Sequence, residues 1–161
     1  MFRFATHLAC LLITFIWLSD AAGKPTGEIA SRELLDGPVK ATLVRVRDGD
    51  SIEVLAHIWP GQRIAVSVRL RGIDAPELRA RCSGERAMAT RARAHLARLI
   101  SDPTVSLRRI AGGKYFGRIL ADVTTEQGLD IADEMLISGF AVPYRNRKSK
   151  DWCATRPTAF N

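Results

Sequence analysis

The chain has 161 residues, enough for one domain with a substantial core. With 47% hydrophobic and 25% charged residues its composition is that of a globular protein, which excludes a disordered chain. Lysine and arginine number 24 against 17 acidic residues, giving +7 and a pI near 9.9, a balance suited to polyanions such as nucleic acid, acidic glycans or an anionic membrane surface.

Residues 1–23 have the pattern of a secretory signal peptide. Arg3 supplies the positive start, Leu8 to Leu18 form the apolar run, and Ser19, Ala21, Ala22 and Gly23 offer small residues for cleavage. The apolar run is shorter than the roughly 20 residues that a spanning helix needs, so an uncleaved anchor is the weaker alternative. The expectation is therefore a periplasmic or secreted protein with no stable membrane insertion after cleavage. Cys10 would leave with the leader, and Cys82 and Cys153 remain as an even pair in an oxidising compartment. A disulfide is expected there, the alternative being two free thiols. Two cysteines and three scattered histidines offer no zinc-ligand spacing.

Residues 24–38 read as a polar N-terminal linker with a turn of helix at Glu33-Leu34-Leu35. Val39 to Arg47 and Ser51 to Ala56 alternate as strands and close a hairpin on Asp48-Gly49-Asp50. In that turn the aspartates cap and the glycine supplies positive φ. Trp59-Pro60-Gly61-Gln62 is a second turn. Ile64 to Gly72 then puts Val66, Val68 and Leu70 on one face and Ser67, Arg69 and Arg71 on the other. From Ser83 to Ile100 the period becomes helical, with Met88, Ala92, Leu96 and Leu99 on one side, Ser83 as N-cap and Asp102-Pro103 as the stop. Thr104 to Ile110 and Arg118 to Val123 are two more strands around the Gly112–Gly117 turn. A last helix, Ile131 to Ser138, ends on Gly139 as a left-handed cap. Three strands, a helix, two strands and a helix define an α+β, mainly β fold: a five-stranded OB-fold barrel with one helix after strand 3 and one after strand 5. The domain is expected over residues 39–144, followed by a tail, 145–161, stapled by the disulfide.

Asp and Glu oxygens are the ligands hard cations prefer, and arginine forks are the usual phosphate clamps. Asp48-Gly49-Asp50-Ser51 and Arg69-Leu70-Arg71-Gly72-Ile73-Asp74-Ala75-Pro76-Glu77 put both kinds on adjacent turns. Singly, each motif has an ordinary explanation: a capped turn, a solvated strand arginine, a helix-cap carboxylate. His57 and His95 have no partner motif and read as surface residues.

In order, Asp-Gly-Asp-Ser, Val-Arg-Leu-Arg-Gly-Ile-Asp-Ala-Pro-Glu, Tyr-Phe-Gly-Arg-Ile-Leu-Ala and Ser-Gly-Phe-Ala resemble the staphylococcal nuclease (thermonuclease-like) family from about Val39 to Tyr144. The resemblance implies a calcium-dependent endonuclease that hydrolyses DNA and RNA with little sequence preference and leaves 3′-phosphates. It implies Asp50, Asp74 and the Ala75 carbonyl as calcium ligands, and Arg69, Glu77 and Arg118 as the catalytic set. Lys114, Tyr115 and Tyr144 are the expected substrate contacts, helped by Arg145, Arg147 and Lys148 on the basic surface, and the chain is expected to act as a monomer. Lys114 stands where the family commonly has an acidic residue, and Phe116 replaces an aromatic with a hydroxyl. The last helix of the best-known member is missing, a loss that the Cys82–Cys153 staple would offset. The alternative reading is a catalytically idle OB module that binds nucleic acid or an acidic polysaccharide.

Overall fold

A computed structural model describes residues 34–115, 117–144 and 149–154. The signal-peptide reading of residues 1–23, the first part of the linker, and Phe116, Arg145, Arg147 and Lys148 lie outside the described residues. The elements are β1 (Leu34–Leu35), β2 (Val39–Asp48), β3 (Ser51–Trp59), β4 (Gln62–Leu70), β5 (Ile73–Asp74), α1 (Ser83–Leu99), β6 (Thr104–Gly112), β7 (Arg118–Thr125), α2 (Ile131–Ile137) and β8 (Val142–Pro143).

The barrel is made by β2, β3, β4, β7 and β6. Neighbours pair in the order β6-β2-β3-β4-β7, and β6 pairs again with β7 to close the ring. All pairings are antiparallel except β4–β7, which is parallel, with Arg69 opposite Leu120. Closure leaves no free edge between these strands. Alternation does the rest: Ile52 and Val54 of β3, Val68 and Leu70 of β4, Val105 and Leu107 of β6, and Ala121 and Val123 of β7 are all buried. Each fully buried Val, Leu or Ile contributes about 1.5–3 kcal/mol relative to exposure.

Helix α1 lies against β2 and α2, burying Met88, Ala89, Ala92 and Leu96. The alanines let it approach closely. A Cβ on Gly49 would stand 2.7 Å from the Ala92 Cβ and 2.8 Å from that of Ala75. Gly49 is not among the positive-φ glycines, so the expectation for this turn is corrected: glycine is required here by close approach of the helix, not by backbone handedness.

Three local expectations differ. Leu34–Leu35 is a short strand paired with Ile110 and Ala111, not a turn of helix, because the exposed end of β6 offers a backbone ladder there. Helix α1 has Cys82 at its N-cap with no side-chain cap bond, so Ser83 is already helical. Strands β3 and β7 run on to Trp59 and Thr125. By contrast Gly139 has φ 72° just beyond α2, as a left-handed cap requires. Asp130 caps the start of α2 through bonds from the Ala132 and Asp133 N–H groups. No helix among the described residues is long and apolar enough to cross a membrane.

Candidate active site

The site sits where the β2–β3 turn meets the end of β4. Register explains the meeting: Ser51 is directly opposite Arg69 on the antiparallel β3–β4 pair. Asp50, one residue before Ser51, therefore comes beside the arginine. Arg69 Nη1 lies 2.6 Å from Asp50 Oδ1, and its Nη2 lies 3.4 Å from Asp74 Oδ1. One guanidinium thus faces two aspartates, and both aspartates are buried, at 1% and 3% exposure. A buried carboxylate with no positive partner would be strongly destabilising.

The remaining oxygens are partly engaged. Asp50 Oδ1 also accepts from Ser51 Oγ at 2.8 Å, and Asp50 Oδ2 accepts from the Ala75 N–H at 3.1 Å. Asp74 Oδ2 accepts from the Lys150 backbone N–H at 3.0 Å and from the Trp152 indole N–H at 3.1 Å. Burial is the chief reason that the Asp50 carboxyl is held above its ordinary range, opposed first by the Arg69 charge.

Arg118, on β7, reaches the same cluster. Its Nη2 donates to Ser51 Oγ at 3.1 Å, so Ser51 links Arg118 to Asp50. The Arg118 Nε is buried without a hydrogen-bond partner. Such an orphaned donor beside a second arginine suits an anion with several oxygens.

Glu77 follows the β5 strand; the residue is exposed overall, but its carboxyl is partly desolvated. Its own backbone N–H donates to Glu85 Oε1 on α1 at 3.2 Å, which ties the Asp74–Glu77 loop to the helix. Its carboxyl is raised above the ordinary glutamate value, first by partial burial, then by the charges of Asp50 and Asp48, against the lowering effect of Arg69. The charges of Asp50, Asp48 and Asp74 all act on the Glu77 carboxyl, which places it in the field of the aspartate pair. Cys82, Glu85 and Cys153 bring three ligand atoms within 4.8 Å of one another, but the two sulfurs are joined in a disulfide and offer no thiolate.

The expected substrate contacts lie on two segments, the β6–β7 turn and the end of β8. Tyr115 is 60% exposed on the β6–β7 turn, with the Lys114 ammonium 5.4 Å from its ring centre. Tyr144 follows β8, which pairs with β5 so that Asp74 faces Val142, and its N–H donates to the Gly72 carbonyl at 2.8 Å. Tyr144 is thereby brought beside the Asp74 strand. Cys82 and Cys153 are bonded, with Cα atoms 5.9 Å apart.

The donors are of the kind calcium takes: they are hard carboxylate oxygens, Asp50 Oδ2 keeps a lone pair beyond its single bond, and Arg69 faces two aspartates with the charges of Asp48 and Asp50 acting on Glu77. Sequence reading passed over Ser51, Glu85 and Trp152 as site residues. Ser51 stood in the quoted motif. Trp152 carried one signal, a tryptophan beside a cysteine in an otherwise polar tail.

A family model described as staphylococcal nuclease homologue matches residues 67–156, more than half of the chain. The match spans Arg69, Asp74, Ala75, Glu77, Arg118 and both bonded cysteines; Asp50 lies before it and joins through the Ser51–Arg69 register. No curated protein matches the sequence. The closed five-stranded barrel, the paired aspartates under one arginine and the family match agree on a nuclease-like, nucleic-acid-related protein: the chain belongs to the staphylococcal nuclease homologue family.

Proposed function

We propose that this protein is an exported, calcium-dependent endonuclease that hydrolyses phosphodiester bonds of DNA and RNA with little sequence preference and leaves 3′-phosphates. The observation that carries the reading is the cluster in which Arg118, Ser51, Asp50, Arg69 and Asp74 are joined side chain to side chain, with the Arg118 Nε still unpaired. Export is supported by the Cys82–Cys153 disulfide and by the leader-like pattern of residues 1–23.

In this reading Asp50, Asp74 and the Ala75 carbonyl hold calcium, whose chemistry is to polarise a phosphodiester oxygen. Glu77 orients or deprotonates the attacking water. Arg118 and Arg69 donate to the equatorial phosphate oxygens, where charge gathers as the water attacks. Arginine serves here better than lysine because its planar fork meets two oxygens at once. Lys114, Tyr115 and Tyr144 bind the backbone and bases of the substrate, with affinity falling steeply as salt rises.

One observation favours a second reading, an idle OB module that binds nucleic acid without cutting it. Asp74 Oδ2 already accepts two N–H groups, and Arg69 spans both aspartates, so the pair is partly neutralised by the protein itself. Digestion of plasmid and single-stranded DNA with calcium and with EGTA separates the two. Cleavage only with calcium, reduced about 100-fold or more in Glu77→Gln with gel-shift binding kept, is the expected result. Binding without cleavage under either condition would select the idle module.

A further inference from the structure

We infer that Trp152 is a positioning residue for Asp74 and that the Cys82–Cys153 bond is what keeps it there; the inference rests on the reading of Asp74 as a calcium ligand. Trp152 is 78 residues from Asp74 in sequence, yet its indole N–H bonds the Asp74 carboxylate at 3.1 Å and its side chain is only 5% exposed. The Lys150 backbone N–H meets the same oxygen at 3.0 Å. Two donors on Oδ2 fix the rotation of the carboxylate. Oδ1 is left on the Arg69 side, accepting from Nη2 at 3.4 Å, and keeps its second lone pair for a cation. Donors that orient a ligating carboxylate in this way ordinarily matter to metal affinity almost as much as the ligand itself.

The short stretch around Trp152 is tied down on its other side. Cys153 is bonded to Cys82 at the start of α1, and Arg81 Nη2 meets the Asp151 carboxylate at 3.1 Å. Asp151 Oδ1 in turn accepts the N–H groups of Cys153 and Ala154 at 3.1 and 3.2 Å, closing a compact turn. The Lys150 ammonium lies over the indole, 4.3 Å from its ring centre. A tail that served only to plug the core would bury the ring without aiming its one polar atom at the carboxylate. Here the disulfide, the Asp151 turn and the indole act in series, each fixing the next, and the last of them fixes Asp74.

The test is calcium affinity by calorimetry on the oxidised protein, a readout independent of turnover. Trp152→Phe removes the N–H and some volume; benzothienylalanine at 152 keeps the bicyclic shape and removes only the N–H. Both are expected to weaken calcium binding about tenfold. Cys82→Ser/Cys153→Ser should weaken it by the same factor, and adding Trp152→Phe to that pair should cost nothing more, because both act through one contact. Parental affinity in the benzothienylalanine protein would overturn the role of the N–H, reducing Trp152 to packing. Parental affinity in the serine pair, or losses that add, would overturn the role of the disulfide. If the unaltered protein binds no calcium while the other results cannot be read, the calcium reading itself falls, and this inference with it.

Discussion

Arg69 Nη1 holds Asp50 Oδ1 at 2.6 Å, and the same guanidinium is the counter-charge of Asp74. Two buried carboxylates therefore share one cation from the protein. Removing it by Arg69→Ala should cost about 3 kcal/mol in urea unfolding at neutral pH in EGTA, the usual result of leaving a buried charge unpaired. Combining it with Asp50→Ala should cost far less than the two losses added, since the partner needing compensation is gone. Additive losses would show that the pair is not coupled.

Arg118 is anchored to the cluster through Ser51 Oγ, and its Nε is unpaired. Arg118→Lys keeps a positive charge and loses the fork. Turnover should fall about 100-fold or more while the melting temperature drops only slightly, because the protein loses the single Ser51 bond whereas the paired contacts form with the phosphate. A fall in stability matching the fall in rate would instead make Arg118 a structural residue.

Gly49 is packed under α1, with no room for a methyl group against Ala92 and Ala75. Gly49→Ala should destabilise the fold by about 1–3 kcal/mol, the ordinary cost of overpacking. Because Asp50 is the next residue, the proposed calcium binding should weaken with it. Gly49→Ala/Ala92→Gly, which makes the space on the helix side, should recover part of both losses; no recovery would place the strain elsewhere.

His95 is stacked on Phe140 with ring centres 4.4 Å apart, and Arg98 Nη2 donates to its Nδ1 at 3.3 Å. An arginine only donates, so the ring proton sits on Nε2, which is buried without a partner. Burial, then the Arg98 charge, push the imidazole below the ordinary histidine value, against the Glu134 carboxylate. Between the folded and unfolded values the unfolded chain binds more protons, so stability rises with pH there and is lost as pH falls through it. His95→Phe should flatten the pH dependence of the melting temperature just below neutrality. An unchanged slope would assign it to another group. His95 is thus half-buried against α2's end rather than a plain surface residue, which its lone position in the sequence gave no means of seeing.

Local signals were sufficient for most of the barrel. Period-two alternation in Ser51–Ala56 and Ile64–Gly72, helical spacing from Met88 to Leu99 and the Gly139 cap each depend on neighbours a few residues away, and they reappear in β3, β4, α1 and the end of α2. The motif order was likewise readable, because Asp50, Arg69, Asp74, Glu77 and Arg118 lie on short runs of recognisable type. The Leu34–Leu35 strand was not readable, since its partner is β6, with Leu34 set against Ala111, 77 positions along the chain.

What the sequence by itself determined was the five barrel strands and the two helices, the residue types of the site and the even pair of cysteines. Only the tertiary structure decided that Ser51 faces Arg69, that Gly49 is glycine because Ala92 and Ala75 press on it, and that Trp152 reaches Asp74. The reason is physical. Strand register, close approach of a helix and a contact between residues 78 apart are set by how the whole barrel closes, and no local window of the chain contains the partner.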